Sequence, residues 1–318
     1  MRALVINQSG GPEQLQIREV PIPERKRGEI LVRVHAAGIN PVDYKIRKGI
    51  TNYRLAKKLS RIWKFPLIPG SDIAGEVKQA DRRSGYKPGD KVFAMLPTGK
   101  GGYCEFTTVK EHHLCLVPAV SSFTEAAATP LASLTALQAF QKGGKIKEGD
   151  KILINGASGG VGSFAVQIAR AMGAHVTGVC SSDNIMFVKD LGANEVIDYK
   201  SEDFTRSNNR YRKVFDAAGK SSFDKCRRIL AGDGIYVSTL PGRGMIISLI
   251  LNFLRKKKAS LVMVKPSGKD LLFMSGLMEA GLVRPAIMKT FLLEEGAKAH
   301  ELLETGKTRG KIVLELTG

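Results

Sequence analysis

Over the first 118 residues, apolar positions come in short runs of β type, punctuated by glycine and proline. Runs at 2–6, 16–20, 29–36, 73–78, 91–95 and 104–109 are predicted strands, with turn signals at Pro88-Gly89-Asp90 and from Gly99 to Gly102. Such short, irregularly spaced strands predict a β-rich, barrel-like domain. The pattern changes near residue 120, where Ser122-Phe123-Thr124-Glu125 reads as a helix start with a Ser or Thr cap. Strands are then expected at 151–155, 175–180, 195–198, 214–216 and 235–238, and helices at 161–172, 185–191 and 223–230. This alternation predicts an α/β fold with a doubly wound parallel sheet. The last fifty or so residues hold one helical pattern, 269–280, a turn at Arg284-Pro285 and a final strand, 311–316.

A length of 318 residues with ordinary globular composition suits about two domains. The longest apolar run, 245–254, is too short to cross a membrane, and the N-terminus runs straight into a predicted strand with no signal-peptide pattern. Cys104, Cys115, Cys180 and Cys226 are scattered, with no CxxC pair, as expected of reduced intracellular thiols. A cytoplasmic location is expected, with peripheral membrane attachment left open.

The departure from the ordinary is a net charge of +19. It points to a polyanionic small ligand, an anionic membrane surface or nucleic acid. Aromatics are 7% and no helix-turn-helix, RRM or zinc-finger signature occurs, so nucleic acid is the weakest of the three. The cations crowd at 45–64, where Leu55, Leu59 and Ile62 recur at helical spacing among Lys57, Lys58, Arg61, Trp63 and Lys64. A second cluster, Arg255-Lys256-Lys257-Lys258, follows the apolar run 245–254. Both read either as membrane-surface segments or as a solvated helix face and a helix buried between subunits.

The strongest motif is Ala157-Ser158-Gly159-Gly160-Val161-Gly162, after a predicted strand and opening a predicted helix. Gly159 lets a pyrophosphate approach the backbone, Gly162 permits tight helix-on-strand packing, and the helix start at Gly160 offers free N–H groups. A carboxylate that would select NAD is expected at the end of the following strand. Here that end reads Val179-Cys180-Ser181-Ser182. Ser181, joined by Tyr199 at the next strand end, can donate to a 2′-phosphate, so NADPH is the expected cofactor; Asp183 and the lack of an arginine argue the other way.

The chain resembles the medium-chain dehydrogenase/reductase superfamily, in its zinc-free quinone oxidoreductase (zeta-crystallin-like) branch. The resemblance rests on Gly38-Ile39-Asn40-Pro41-Val42-Asp43, the run from Pro69 to Val77, Lys87-Pro88-Gly89-Asp90-Lys91-Val92, the run from Pro130 to Ala136, Ala157 to Gly162, Leu191-Gly192-Ala193 and Arg309-Gly310-Lys311-Ile312-Val313. It implies a GroES-like catalytic domain split in sequence, 1–121 and 263–318, around a Rossmann NADP-binding domain, 122–262. It implies cofactor contacts from Thr135, Ser158, Gly160, Val161, Leu240, Arg309 and Lys311, in a cleft between the domains. It places Asn40, Asp43 and Lys45 on the active-site loop: Asn40 to hydrogen-bond a carbonyl or the ribose, Lys45 to polarise a developing enolate or quinol oxygen. Asp43 is either chemical or loop-organising; Tyr44 or Tyr53, or else solvent, would relay a proton. A homodimer is implied as well. Zinc members of the superfamily carry a Cys ligand where Asn40 stands and a His-Glu pair in the segment holding Ser71 and Asp72, so no metal is expected. The expected reaction is hydride transfer from NADPH to a quinone or an α,β-unsaturated carbonyl (an enone). The alternatives are a membrane-surface or nucleic-acid-associated NADP-binding protein with little turnover.

Overall fold

A computed structural model describes residues 1–50, 65–97, 100–242 and 244–316. The amphipathic pattern at Leu55, Leu59 and Ile62 lies outside the described residues, as does Tyr53. The chain forms two units: 1–131 with 265–279 and 287–318, and 132–264 with 280–286.

In the first unit, β1 (Arg2–Ile6) pairs antiparallel with β2 (Leu15–Glu19). The longest strand, β3 (Glu29–Ile39), runs into helix α1 (Pro41–Arg47). Then follow β4 (Asp72–Gln79), β5 (Lys91–Met95), β6 (Phe106–Lys110), β7 (Leu114–Leu116) and helix α2 (Phe123–Ala128). Alternate side chains of these strands, among them Val32, Val34, Ile73, Val77, Val92 and Ala94, fill one core with Tyr103. Ser122 caps α2 reciprocally: its Oγ accepts from Glu125 N–H, and its N–H donates to the Glu125 carboxylate.

Helix α3 (Pro130–Gln141) leads into the second unit. There β8 (Lys151–Asn155), α4 (Gly160–Ala171), β9 (His175–Cys180), α5 (Ile185–Asp190) and β10 (Glu195–Asp198) alternate. They are followed by β11 (Tyr211–Asp216), α6 (Phe223–Cys226), β12 (Leu230–Ser238), α7 (Met245–Ile250) and β13 (Lys258–Leu261). All six strands are parallel, in the order β10-β9-β8-β11-β12-β13. The order steps outward from β8 in both directions, which is the doubly wound arrangement with its switch point between β8 and β11. The helix expected over 223–230 is shorter, because Leu230 already pairs with Tyr211 in the sheet.

The chain then returns to the first unit through α8 (Gly268–Glu279), β14 (Ile287–Leu292), α9 (Gly296–Glu304) and β15 (Lys311–Glu315). Strand β15 lies between β14 and β3, in a seven-stranded sheet that continues through β4, β5 and β7, with β6 also on β3.

The unit boundaries differ from those expected at 121/122 and 262/263. Helix α2 belongs to the first unit because it packs on β3, β4 and β15. Residues 280–286 belong to the second, where Arg284 exchanges two backbone–side-chain hydrogen bonds with Gln167 of α4, at 3.0 and 2.8 Å.

Glycine is required where α2 crosses β3. A Cβ on Gly38 would lie 2.4 Å from the Ala127 carbonyl oxygen and 3.0 Å from the Asp72 Cβ. Gly38→Ala is therefore expected to cost about 1–3 kcal/mol by overpacking, read as a lowered melting temperature in a thermal-shift assay.

Candidate functional site

Strand register brings together three residues that are far apart in the chain. Gly38 of β3 stands opposite Val313 of β15 on one side and Asp72 of β4 on the other. One step past the end of β3, Asn40 precedes α1, and Lys311 opens β15. The Lys311 Nζ donates to the Ile39 carbonyl and to Asp72 Oδ2, each at 3.2 Å, and to Asn40 Oδ1. Asn40 Nδ2 donates to the same Asp72 oxygen at 2.9 Å, and Leu131 N–H donates to the other at 2.7 Å. Lys311, Asp72 and Asn40 are all buried. Burial pushes the Asp72 carboxyl up, and the ammonium of Lys311 works against that shift.

Asp43 continues the network. Its Oδ2 accepts from Asn40 N–H and from the Tyr103 hydroxyl, both at 2.8 Å. Asp43 is 0% exposed, and burial pushes its carboxyl up to about 7 against these hydrogen bonds. Asn40 and Asp43 thus hold the start of α1 from inside. Lys45, on the same helix, stands apart: it is half-buried, burial depresses its pKa, and its ammonium has no hydrogen-bond or ion-pair partner among the described residues. Further along α1, Arg47 donates to the Gly10 carbonyl at 2.6 Å and pairs with Glu304 of α9, as does Lys48. That part of the basic run at 45–64 is structural.

The zinc-bearing relatives that the resemblance brings in raise the question of a cation here. The residues do not fit one. Asn40 Oδ1 and Asp72 Oδ2 are engaged by the Lys311 ammonium, which would repel a second cation, and Asp72 Oδ1 by Leu131 N–H.

In the second unit, the expected cofactor residues gather at the carboxyl edge of the sheet. The turn after β8 bonds back to β9, with Gly156 and Ala157 N–H both donating to the Val179 carbonyl at 3.0 Å. Gly159 precedes α4 without a side-chain cap, Gly160 and Val161 form its first turn, and Ser158 is half-buried beside them. A Cβ on Gly162 would stand 2.0 Å from the Gly156 carbonyl oxygen, whereas one on Gly159 would meet nothing closer than 3.6 Å. The turn is therefore tight against the helix and open where a pyrophosphate would lie, so the residues present fit a dinucleotide. Ser181 follows β9, and Tyr199, more than half exposed, is tied beside it through its N–H to the Cys180 carbonyl at 3.0 Å. Leu240, after β12, packs at Gly219. Thr135 is buried on α3. Arg309 and Lys311 lie in the first unit, Arg309 exposed and Lys311 enclosed.

Three features went unseen in the sequence. Asp216 ends β11 at the switch point, where it accepts from Asn155 Nδ2 (2.8 Å), Ser221 N–H (2.7 Å) and the Tyr236 hydroxyl (2.8 Å). It ties together the ends of β8, β11 and β12. Asp198 reaches the end of β9 from the neighbouring strand, opposite Cys180, and its oxygens are taken by the Ser182 hydroxyl (2.6 Å) and Lys200 N–H (2.9 Å). Those hydrogen bonds, the one from Ser182 foremost, hold its carboxyl below the usual range. The third is the role of Asp72 as the buried partner of Lys311 and Asn40. The available signal was a carboxylate at a strand terminus beside apolar residues: Asp72 opens β4 before Ile73 and Ala74, and Asp216 closes β11 after Val214 and Phe215.

A doubly wound sheet with a glycine turn at its switch point, joined to a β-rich unit closed by the chain's last strand, defines a two-domain dehydrogenase/reductase. Residues 26–139 match the family described as alcohol dehydrogenase GroES-like domain, and 191–314 match the one described as zinc-binding dehydrogenase. The chain is 36% identical to the chloroplast envelope quinone oxidoreductase homolog of Arabidopsis thaliana, over 99% of this chain and 98% of the relative. It is 32% identical to the mitochondrial NAD(P)H oxidoreductase RTN4IP1 of Homo sapiens, over 99% and 89%. The structure of the quinone oxidoreductase from Coxiella burnetii superposes with a TM-score of 0.88 at 32% identity, covering 100% of this chain and 99% of that one. The chain belongs to the medium-chain dehydrogenase/reductase superfamily, in its quinone oxidoreductase-like branch, and is an oxidoreductase.

Two outcomes follow from the buried network. Lys311→Met leaves Asp72 buried without its counter-ion and is expected to cost about 3–5 kcal/mol; Lys311→Met with Asp72→Asn recovers much of it, as measured by urea denaturation. For Asp43, the folded chain keeps its proton up to about pH 7, while the unfolded chain releases it near 3.8. The folded state then binds more protons across that window, so stability falls as pH rises through it. Asp43→Asn is expected to flatten the slope in melting temperatures recorded between those two pH values.

Proposed function

We propose that this chain is a zinc-independent, NADPH-dependent oxidoreductase that reduces a quinone or an α,β-unsaturated carbonyl. The observation that carries the reading is the glycine turn at the switch point, closed at Gly162 and open at Gly159. The names of the relatives, quinone oxidoreductase and NAD(P)H oxidoreductase, support the substrate class and the cofactor class. The nicotinamide, when bound, supplies the hydride.

The chain's own residues bind, position and stabilise. N–H groups in the first turn of α4 take the pyrophosphate, where the helix dipole favours negative charge. The Ser181 hydroxyl and the Tyr199 phenol donate to the 2′-phosphate. Asp198, which stands nearby, already accepts from Ser182 and Lys200, which lowers its call on a ribose hydroxyl. A conjugated acceptor delocalises the incoming charge itself, so the reaction needs no Lewis acid at Asn40 and Asp72, which the Lys311 ammonium already engages. Lys45 is the half-open cation of α1 and stabilises the developing oxyanion. Asn40 and Asp43, being buried, act by holding the start of that helix.

The test is NADPH oxidation, followed at the reduced-nicotinamide absorbance, with a panel of quinones and enals. Turnover on at least one is expected; tight NADPH binding with no turnover on any would sink the enzyme reading. Ser181→Ala combined with Tyr199→Phe is expected to raise the KM for NADPH about tenfold or more, through lost bonds to a charged phosphate, and to leave the KM for NADH almost unchanged. An equal change for both cofactors would show that these two residues do not read the 2′-phosphate.

A further inference from the structure

Two short turns meet at the carboxyl end of β9. One is the 3₁₀ turn Ser182–Asn184 that follows β9, and the other runs through Tyr199, Lys200 and Ser201 after β10. Asp198 clasps them together. Its Oδ2 accepts from the Ser182 hydroxyl at 2.6 Å and its Oδ1 from Lys200 N–H at 2.9 Å. Tyr199 N–H, donating to the Cys180 carbonyl at 3.0 Å, adds a third tie. Asn184 fixes Ser181 in turn: its Nδ2 donates to Ser181 Oγ at 3.0 Å, so the proton of that hydroxyl is left to be donated elsewhere.

Opposite charges stand on the two turns. Lys200 Nζ lies 3.7 Å from Asp183 Oδ2, and both side chains are more than half exposed, at 53% and 72%. An exposed pair at this separation holds its partners weakly, so Lys200 can leave Asp183 at small cost. A phosphate placed at Ser181 and Tyr199 meets both charges, attracted by the ammonium and repelled by the carboxylate. The ammonium gains more from a phosphate, with its higher charge and three acceptor oxygens, than from an exposed carboxylate. A ribose that carries only a 2′-hydroxyl is neutral there and feels little of either.

We propose that Lys200 is a specificity-determining cation for the 2′-phosphate and that Asp183 is its built-in opponent, so that the pair sets how strongly the chain prefers NADPH to NADH. The inference rests on the proposed placement of the 2′-phosphate at Ser181 and Tyr199, and deepens it. Those two residues supply hydrogen bonds of fixed direction, whereas Lys200 and Asp183 supply charge of opposite sign.

The test is calorimetric titration of the full chain with 2′,5′-ADP and with 5′-AMP, which differ in the 2′-phosphate and need no turnover. Lys200→Met is expected to weaken 2′,5′-ADP about fivefold or more, and Lys200→Arg to keep most of the affinity. Asp183→Asn is expected to tighten 2′,5′-ADP about threefold. Affinity for 5′-AMP moves less than about twofold in all three. In the Asp183→Asn background, Lys200→Met still weakens 2′,5′-ADP, because the ammonium meets the phosphate and does more than cancel Asp183. Circular dichroism checks each fold, and Lys200→Gln replaces a Lys200→Met that fails to fold. The proposal is overturned if Lys200→Met or Asp183→Asn binds 2′,5′-ADP as wild type does, if 5′-AMP changes by the same factor, or if the Lys200→Met loss vanishes in the Asp183→Asn background. A preference for 2′,5′-ADP that survives Lys200→Met but is lost in Ser181→Ala with Tyr199→Phe overturns this inference and leaves the NADPH reading standing. A wild-type chain that binds 5′-AMP as tightly as 2′,5′-ADP overturns both.

Discussion

The contact on which the first unit depends is the buried Lys311 ammonium against Asp72 and Asn40. It joins the last strand of the chain to the third and fourth. Relative to an apolar replacement a buried ion pair gives little net stability, because desolvation offsets most of the attraction. Its effect is on register. Side chains alternate across a strand, so a slip of one residue would turn Lys311 away from Asp72 and leave two buried charges unpaired. The β15–β3 pairing is thus made close to all-or-none. Through Asn40 and Asp43 the same network sets where α1 begins, and with it the position of Lys45.

The second unit has an analogous device of different chemistry. Asp216 collects four donors at the end of β11 and fastens the strands on both sides of the switch point. The glycine turn sits at that same edge, so a dinucleotide would meet a rigid rim rather than a loose loop. Rigidity matters there because hydrogen bonds to phosphate contribute only when donors are held in place beforehand.

The net charge divides along similar lines. Arg47 and Lys48 are spent on Glu304, Lys213 is buried against the carbonyls of Lys142 and Gly144, and Lys311 is spent on Asp72. Burial lowers the Lys213 pKa to about 8. These cations serve the fold. Those at 227–228 and 255–258 remain at the surface, around the exposed apolar side chains of α7.

Local pattern was enough for much of the fold. The strands at 2–6, 91–95, 151–155, 175–180 and 195–198 occur at the bounds expected from their apolar runs and flanking turn residues. The glycine turn was equally legible, because its function lies in consecutive backbone units. Strand β14 was not, because Met288 and Leu292 face solvent and its place comes from pairing with β15. The sequence alone determined the alternation of strands and helices in the second unit, the dinucleotide motif and the superfamily. Only the tertiary structure decided that Lys311 meets Asn40 and Asp72, 271 and 239 positions away, inside the first unit. Periodicity reports which face of an element is buried, whereas the partner across that face is set by strand pairing over the whole chain.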